Sequence, residues 1–283
     1  MATVKSVDRI GKEQIMSQFT FGFIGCGNMG GSLVSAASLV LPANRLAVCD
    51  ADASKTDAFV KSGKATAAEL SDVALNSEYI FLAVKPQGMA KLFEALSPML
   101  QKRTDTFVLI SMAAGIEISK IEQLSGVSCP VIRMMPNTPA SVGEGMILYD
   151  VNANTTDGQI KGFLQGLSAA GRLDRLPEAL IDAAGALSGC GPAFVYLFAE
   201  GLADGGVACG LPREKAQLYA SQTLLGAAKM LLETGKHPGV LKDAVCSPGG
   251  TTIAGVQALE KGAFRSDSMN AVVAAFEKTK ELK

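Results

Sequence analysis

The segment Gly25-Cys26-Gly27-Asn28-Met29-Gly30 spaces three glycines as G-x-G-x-x-G. It follows the apolar run Phe21-Gly22-Phe23-Ile24 and opens a stretch that reads as a helix. In that context each glycine has a separate role. The first permits a tight turn, the second lets the backbone approach a pyrophosphate, and the third lets helix and strand pack closely. Amides at the helix start then face the phosphates, where the helix dipole also favours negative charge. The chemistry implied is binding of a dinucleotide, with Gly25, Gly27, Asn28, Met29 and Gly30 as candidate contacts. Asp50 ends the run Leu46-Ala47-Val48-Cys49-Asp50. It stands about 20 residues past the turn, where an acidic group commonly takes the ribose hydroxyls. A carboxylate there repels a 2′-phosphate, and Lys55 is the one nearby cation. The residues therefore favour NADH, or mixed use, over strict NADPH preference. The competing reading is that Asp50 or Asp52 merely caps the next helix.

A second constellation lies far down the chain, at Ser247-Pro248-Gly249-Gly250-Thr251-Thr252. Hydroxyls and backbone amides gathered at a helix start make a nest for an anion. An ordinary helix cap accounts for the serine and proline but not for two glycines and two threonines after them. The sequence has one histidine, His237, in the polar turn Gly235-Lys236-His237-Pro238-Gly239, which weakens any mechanism needing a histidine base. The six cysteines are scattered without a C-x-x-C pair, so reduced thiols and no metal site are expected.

The elements that must carry these residues alternate in the first half. Strands are expected over 19–24, 45–49, 79–84, 106–110 and 131–134, with further ones at 147–149 and 172–176. Helical segments fall at 29–39, 54–62, 87–100, 118–124 and 156–169. Near-continuous apolar strands separated by helices predict an α/β fold, a doubly wound, mainly parallel sheet of Rossmann type. The texture changes at Pro177. From there helices are expected over 178–187, 192–209, 213–233, 240–246, 251–261 and 266–280. The predicted organisation is an N-terminal extension over 1–18, unfolded, a dinucleotide-binding domain over 19–177 and an all-α domain over 178–283. Segments 196–207 and 218–232 are apolar on more than one face and are expected to bury against a partner subunit.

Composition narrows the class. Of 283 residues, 48% are hydrophobic and 19% charged, enough apolar content for a substantial core. A net charge of −1 gives no overall basic field for nucleic acid. The richest apolar stretches, such as 80–84 and 193–198, fall short of the roughly 20 residues needed to cross a bilayer. Residues 1–18 carry Lys5, Asp8, Arg9, Lys12 and Glu13 without an apolar stretch, so no secretory signal is expected and a cytoplasmic location follows as the default.

Further blocks make the reading specific: Ala83-Val84-Lys85-Pro86, Met134-Met135-Pro136-Asn137-Thr138-Pro139, Leu187-Ser188-Gly189-Cys190-Gly191-Pro192-Ala193, Ala203-Asp204-Gly205-Gly206 and Ser247 to Thr252 continuing through Glu260-Lys261-Gly262-Ala263-Phe264-Arg265. In this order they resemble pyrroline-5-carboxylate reductase, from about Phe19 to Leu282. The resemblance implies a Rossmann-type domain followed by a helical dimerisation domain, assembled as a homodimer or a larger ring of dimers. It implies hydride transfer from NADPH or NADH to the C=N carbon of 1-pyrroline-5-carboxylate, giving L-proline. It places Ala83, Val84, Lys85 and Pro86 with Met112, Ala113 and Ala114 along the nicotinamide half of the cofactor, and Asn137 on the same wall. The substrate carboxylate falls to Ser247, Gly250, Thr251 and Thr252, and the Thr252 hydroxyl is the candidate partner of the ring nitrogen. Glu144 matches an acidic position near the active site. Two positions depart from the family pattern: Gly185 stands where a threonine is common, and Cys190 where a serine is usual.

Two other readings compete. A β-hydroxyacid dehydrogenase shares the two-domain plan, but its lysine is expected in a Gly-x-x-x-Lys setting, where this chain has Gly189-Cys190-Gly191-Pro192-Ala193-Phe194. A dinucleotide-binding protein without turnover is opposed by the intact Ser-Pro-Gly-Gly-Thr-Thr turn.

Overall fold

The apolar runs of the first half pair into one sheet. A computed structural model describes residues 17–281 and, nearer the N-terminus, the backbone of Ser6–Val7 and Glu13–Gln14, which pair antiparallel. The extension expected over 1–18 lies for the most part outside the described residues. Inside it, the carbonyls of Ser17 and Gln18 accept hydrogen bonds from Arg45.

The strands are β1 (Phe19–Ile24), β2 (Leu46–Cys49), β3 (Thr66–Ala67), β4 (Ser77–Leu82), β5 (Val108–Ser111), β6 (Val131–Met135), β7 (Gly145–Val151) and β8 (Gly171–Arg175). Their order across the sheet is β8-β7-β6-β5-β4-β1-β2-β3. Every neighbouring pair is parallel except β6 with β7. Helices α1 (Asn28–Ala37), α2 (Ser54–Lys61), α3 (Leu70–Asn76), α4 (Met89–Leu100), α5 (Ile118–Ser125) and α6 (Asp157–Gly166) join them. Alternate residues of the central strands enter two separate cores. Phe21, Phe23, Tyr79 and Phe81 face one side, and Ile24, Ile80, Leu82 and Leu109 the other. Burial on both faces is why these strands read as continuous apolar runs.

The sequence reading missed β3 and α3. Edge strand β3 is two exposed residues, too short for a period-2 signal, and α3 is two turns long. It also put the third apolar strand at 79–84, whereas β4 starts at Ser77 and Ala83 already belongs to the loop.

Helix α7 (Glu178–Ser188) is tied to the sheet by charge. Arg133 on β6, 2% exposed at its side chain, pairs with Glu178 at 3.2 Å and with Asp182. Glu178 also accepts from the amide of Ile118, which opens α5. Helices α8 (Gly191–Ala208), α9 (Arg213–Thr234), α10 (Pro238–Ala244), α11 (Thr251–Lys261) and α12 (Phe264–Lys280) follow.

By contacts the chain divides into two compact units, residues 1–189 with 276–283, and residues 190–275. The helical unit holds little core of its own, with Ala203, Ala216 and Ala220 buried. Large apolar side chains stand exposed along α8 (Tyr196, Leu197) and α9 (Leu218, Tyr219, Leu232). The run 178–208 contains an 18-residue window of mean hydropathy 1.3, 22% of it buried, so by length and composition it passes for a membrane span. That corrects the expectation that no apolar stretch approaches spanning length. Unbroken apolar runs are short here because Gly189 and Pro192 interrupt them, but the two helices on either side are both apolar and follow each other within two residues.

Candidate functional site

The glycine turn leaves the carboxyl end of β1 and enters α1. Gly25 has φ +102°, a left-handed conformation that favours glycine, and an added Cβ would lie 2.5 Å from the Ala83 carbonyl oxygen. At Gly30 an added Cβ would stand 2.2 Å from the Gly25 carbonyl oxygen and 3.0 Å from the Ala83 Cβ. Both glycines are therefore required by the close packing of α1 on the strand ends. Gly27 differs, because a Cβ there would meet nothing within 4 Å. The protein itself does not need that glycine, so the open space beside it fits a ligand brought against the backbone. Gly27 also caps α1 without a side-chain partner, leaving the first amides of the helix for an anion.

Beside this turn lies a cavity of about 460 Å³, lined by Cys26, Gly27, Asn28, Gly31, Ser32 and Ser35 from the turn and α1, and by Ser54, Lys55, Ala58 and Phe59 from α2, with Ser141. Its serines escaped sequence reasoning. A signal was present, since Asn28, Ser32 and Ser35 recur at helical spacing and share one face of α1.

Asp50 follows β2, but its carboxylate turns toward the glycine turn. Oδ2 accepts from the Cys26 amide at 2.7 Å, Oδ1 accepts from the Asp52 amide at 2.9 Å, and Lys55 Nζ lies 3.5 Å from Oδ1. Burial opposes its ionisation, yet the two amides and the Lys55 ammonium outweigh this and hold the carboxyl below the usual aspartate range. Burial, followed by the Asp50 charge, pushes the Cys26 thiol up to about 12.

The other expected cofactor residues gather at the carboxyl ends of neighbouring parallel strands. Ala83 follows β4, with its amide donating to the Ile24 carbonyl at 2.8 Å, and Val84 comes next. Lys85 is exposed and precedes a 3₁₀ turn that starts at Pro86. Met112, Ala113 and Ala114 follow β5, and Asn137 follows β6. A crevice at the carboxyl ends, where β1 separates strands running outward in opposite orders, is where open α/β sheets bind ligands. Asn137 is 6% exposed and both ends of its amide are engaged. Nδ2 donates to the Ser188 carbonyl at 2.9 Å, and Oδ1 accepts from the Met146 amide at 2.9 Å. It clasps the end of α7 to the start of β7. Glu144 is exposed in the turn after Gly143, itself at φ +80°.

In the helical unit, Ser247 to Gly250 form a tight turn into α11. The Gly250 amide donates to the Ser247 carbonyl at 3.0 Å, and Gly249 takes φ +67°. Gly250 caps the helix with no side-chain partner, and a Cβ there would lie 2.3 Å from Ser247 Oγ. The serine hydroxyl thus sits beside Gly250 at the helix start. Both threonines are exposed in the described chain. A left-handed Gly249 ahead of an uncapped helix start is a turn that can present backbone amides to an anion.

The model describing pyrroline-5-carboxylate reductase dimerisation matches residues 178–282, and that of NADP oxidoreductases dependent on coenzyme F420 matches residues 20–115. Pyrroline-5-carboxylate reductase of Arabidopsis thaliana is 46% identical over 269 residues, 93% of this chain and 95% of the relative. The chain belongs to the pyrroline-5-carboxylate reductase family. Two solved members of the family have the same fold. The enzyme of Coxiella burnetii superposes with a TM-score of 0.84 at 33% identity, covering 94% of this chain and 99% of that one. The NADP-bound enzyme of Plasmodium falciparum gives 0.82 at 32% identity over the same shares.

One departure from the family pattern has a local account. A Cβ at Gly185 would lie 3.1 Å from Met135 Cγ, so the Met135 side chain on β6 fills the space that a larger residue on α7 would take. Cys190 is exposed, and nothing in the structure explains its replacement of serine.

Proposed function

We propose that this chain reduces 1-pyrroline-5-carboxylate to L-proline with NADPH or NADH. Membership of the family along nearly the whole of both chains carries this reading, and both candidate turns lie inside the matched length. When bound, the cofactor supplies a hydride to the imine carbon while the ring nitrogen takes a proton, leaving proline and the oxidised dinucleotide.

The chain's own task is to hold the reactants. Gly25, Gly27, Asn28, Met29 and Gly30 seat the pyrophosphate on the amides of α1. Ala83 to Pro86 and Met112 to Ala114 line the nicotinamide half. Asn137 braces that wall through its two internal hydrogen bonds. Ser247, Gly250, Thr251 and Thr252 take the substrate carboxylate, and the Thr252 hydroxyl hydrogen-bonds the ring nitrogen. Glu144 is read as a further substrate-side residue. A protonated imine is already electrophilic, so the step depends on holding donor and acceptor carbons within about 3–3.5 Å more than on a strong base. The lone histidine, an exposed cap of α10, is not needed.

The functional domains are read as 19–177 and 178–283. The uncovered apolar faces of α8 and α9 support a homodimer, assembled further into a ring of dimers, with a second copy and not lipid covering the 178–208 run. No nucleic-acid partner belongs to this reading. Six free thiols suit a reducing compartment, the cytoplasm. The test is oxidation of NADH and of NADPH in separate assays with pyrroline-5-carboxylate. Proline formed with either is expected, and none with both rejects the assignment.

A further inference from the structure

Among the described residues Arg133 is the largest fully buried side chain, and it stands inside an apolar strand. Its guanidinium bridges Glu178 at 3.2 Å and Asp182, which lie one turn apart on α7. Glu178 is fixed in turn. Its Oε1 accepts from the Ile118 amide at 2.7 Å, and its own amide donates to Asp150 Oδ2 at 2.8 Å. Asp150 faces Arg133 across the antiparallel pair β6 and β7. Burying such charges brings no gain in stability over an apolar filling of like volume. What it can fix is register.

Register matters because α7 follows one face of β6 up to the nicotinamide wall. Arg133 meets Asp182, Met135 lies against Gly185, and Asn137 donates to the Ser188 carbonyl at 2.9 Å. Alternate strand residues keep to one face of the sheet, and three-residue steps keep to one side of a helix. The last contact has a cause in the break between helices. In an unbroken helix residue 192 would donate to the Ser188 carbonyl, but Pro192 has no N–H, and Asn137 supplies the missing donor. Between the two ends, Ala183-Ala184-Gly185-Ala186 offers only small side chains, a smooth surface that does not by itself fix the height of the helix. The charges do. A slip of one turn, about 5.4 Å, puts Ala186 opposite Arg133 in one direction and carries Asp182 past it in the other. Either way one of the two carboxylates loses its cation.

We propose that Arg133, with Glu178 and Asp182, is a positioning group for hydride transfer: it pins α7 at one height on β6 and so sets where Asn137 holds its part of the nicotinamide wall. The chain leaves the end of α7 at Gly189 for the helical unit. The pin therefore also fixes the point from which the segment carrying Ser247 to Thr252 departs. The inference rests on the proposed reaction, and concerns a residue buried against α7 instead of one that touches a reactant.

The experiment replaces the charges together by groups of like volume, so that none is left unpaired. The full chain carrying Arg133→Met, Glu178→Gln and Asp182→Leu is expected to melt at or above the wild-type temperature. It should bind NADPH and NADH within about twofold of the wild type, because the glycine turn stands on β1, three strands away. Its kcat for proline formation should fall about ten- to a hundredfold, since about 1 Å of misplacement is enough for such a loss. With cofactor deuterated at the transferred position, the primary isotope effect on kcat should rise, because the hydride step is the one that slows. Arg133→Lys, whose ammonium cannot fork to two carboxylates, should lie between the two in both readings. Wild-type kcat with an unchanged isotope effect in the triple variant overturns the proposal. A kcat loss matched by weaker cofactor binding does so too, since it marks general loosening. If the triple variant fails to fold, Arg133→Lys decides alone: a lower kcat with a raised isotope effect supports the pin, and wild-type values of both overturn it. A wild-type chain that forms no proline fails the reaction itself and takes the pin's role with it, whereas an active wild type beside unaffected variants fails the pin alone.

Discussion

Replacing Gly27 and Gly30 by alanine, one at a time, separates a glycine kept for a ligand from one kept for the fold. At Gly30 the new methyl would stand 2.2 Å from the Gly25 carbonyl oxygen, where ordinary contact begins at 3.4 Å. The obstacle is backbone, so α1 or the turn must move by about 1 Å. Overpacking of this kind costs about 1–3 kcal/mol, and a rigid neighbour puts it near 3. At about 2–4 °C per kcal/mol for a unit of this size, Gly30→Ala should melt about 6–12 °C lower. At Gly27 the methyl meets nothing within 4 Å, and φ −65° with ψ −169° suits any residue. Alanine is a poorer helix cap than glycine by some tenths of a kcal/mol, offset by about 0.4–1 kcal/mol of reduced freedom in the unfolded chain. The apoprotein's melting temperature should stay within about 4 °C of the wild type. Dinucleotide affinity should nevertheless fall about ten- to a hundredfold, since the methyl occupies the approach to the backbone. Calorimetric melting of the apoproteins and nicotinamide fluorescence titration read the two quantities separately. A Gly27→Ala chain that melts as low as Gly30→Ala, or that binds cofactor like wild type, refutes the reasoning.

Thr252→Ala should lower turnover severely while leaving NADPH binding unchanged; steady-state kinetics beside a binding titration decide, and unaltered turnover removes the hydroxyl from the reaction. Arg133→Ala should unfold at markedly lower denaturant, by about 3–5 kcal/mol, because it leaves Asp182 buried without its guanidinium, and a midpoint near wild type would deny the clamp on α7. The Cys26 thiol, pushed up to about 12 by burial and the Asp50 charge, stays protonated through pH 9, so iodoacetamide should label exposed Cys190 and Cys209 and spare Cys26; rapid labelling of Cys26 in the native protein contradicts its burial.

The doubly wound sheet was legible because strands covered on both faces must be apolar throughout, as in Tyr79-Ile80-Phe81-Leu82. Edge strand β3 was not, because two exposed residues carry no pattern. In the candidate site, the two glycine-bearing turns were legible for a related reason. Each depends on backbone geometry within six residues, and glycine at fixed spacing reports such geometry directly. The serines of α1 were readable from their spacing, but nothing local says that Ser54 and Ser141 border the same cavity.

By itself the sequence determined the class of cofactor, through Gly25 to Gly30, and the turn that leads into α11, through Ser247 to Thr252. Tertiary structure alone decided which way the polar and charged side chains between them in sequence point. The Asp50 carboxylate meets the amide of Cys26, 24 residues away; Arg133 meets Asp182, 49 away; Asn137 meets Ser188, 51 away. Such partners are brought together by strand order and helix packing, and no local spacing encodes them. A carboxylate at the end of β2 is read from the chain, but whether it faces a ribose or the amides of its own turn is set by the fold.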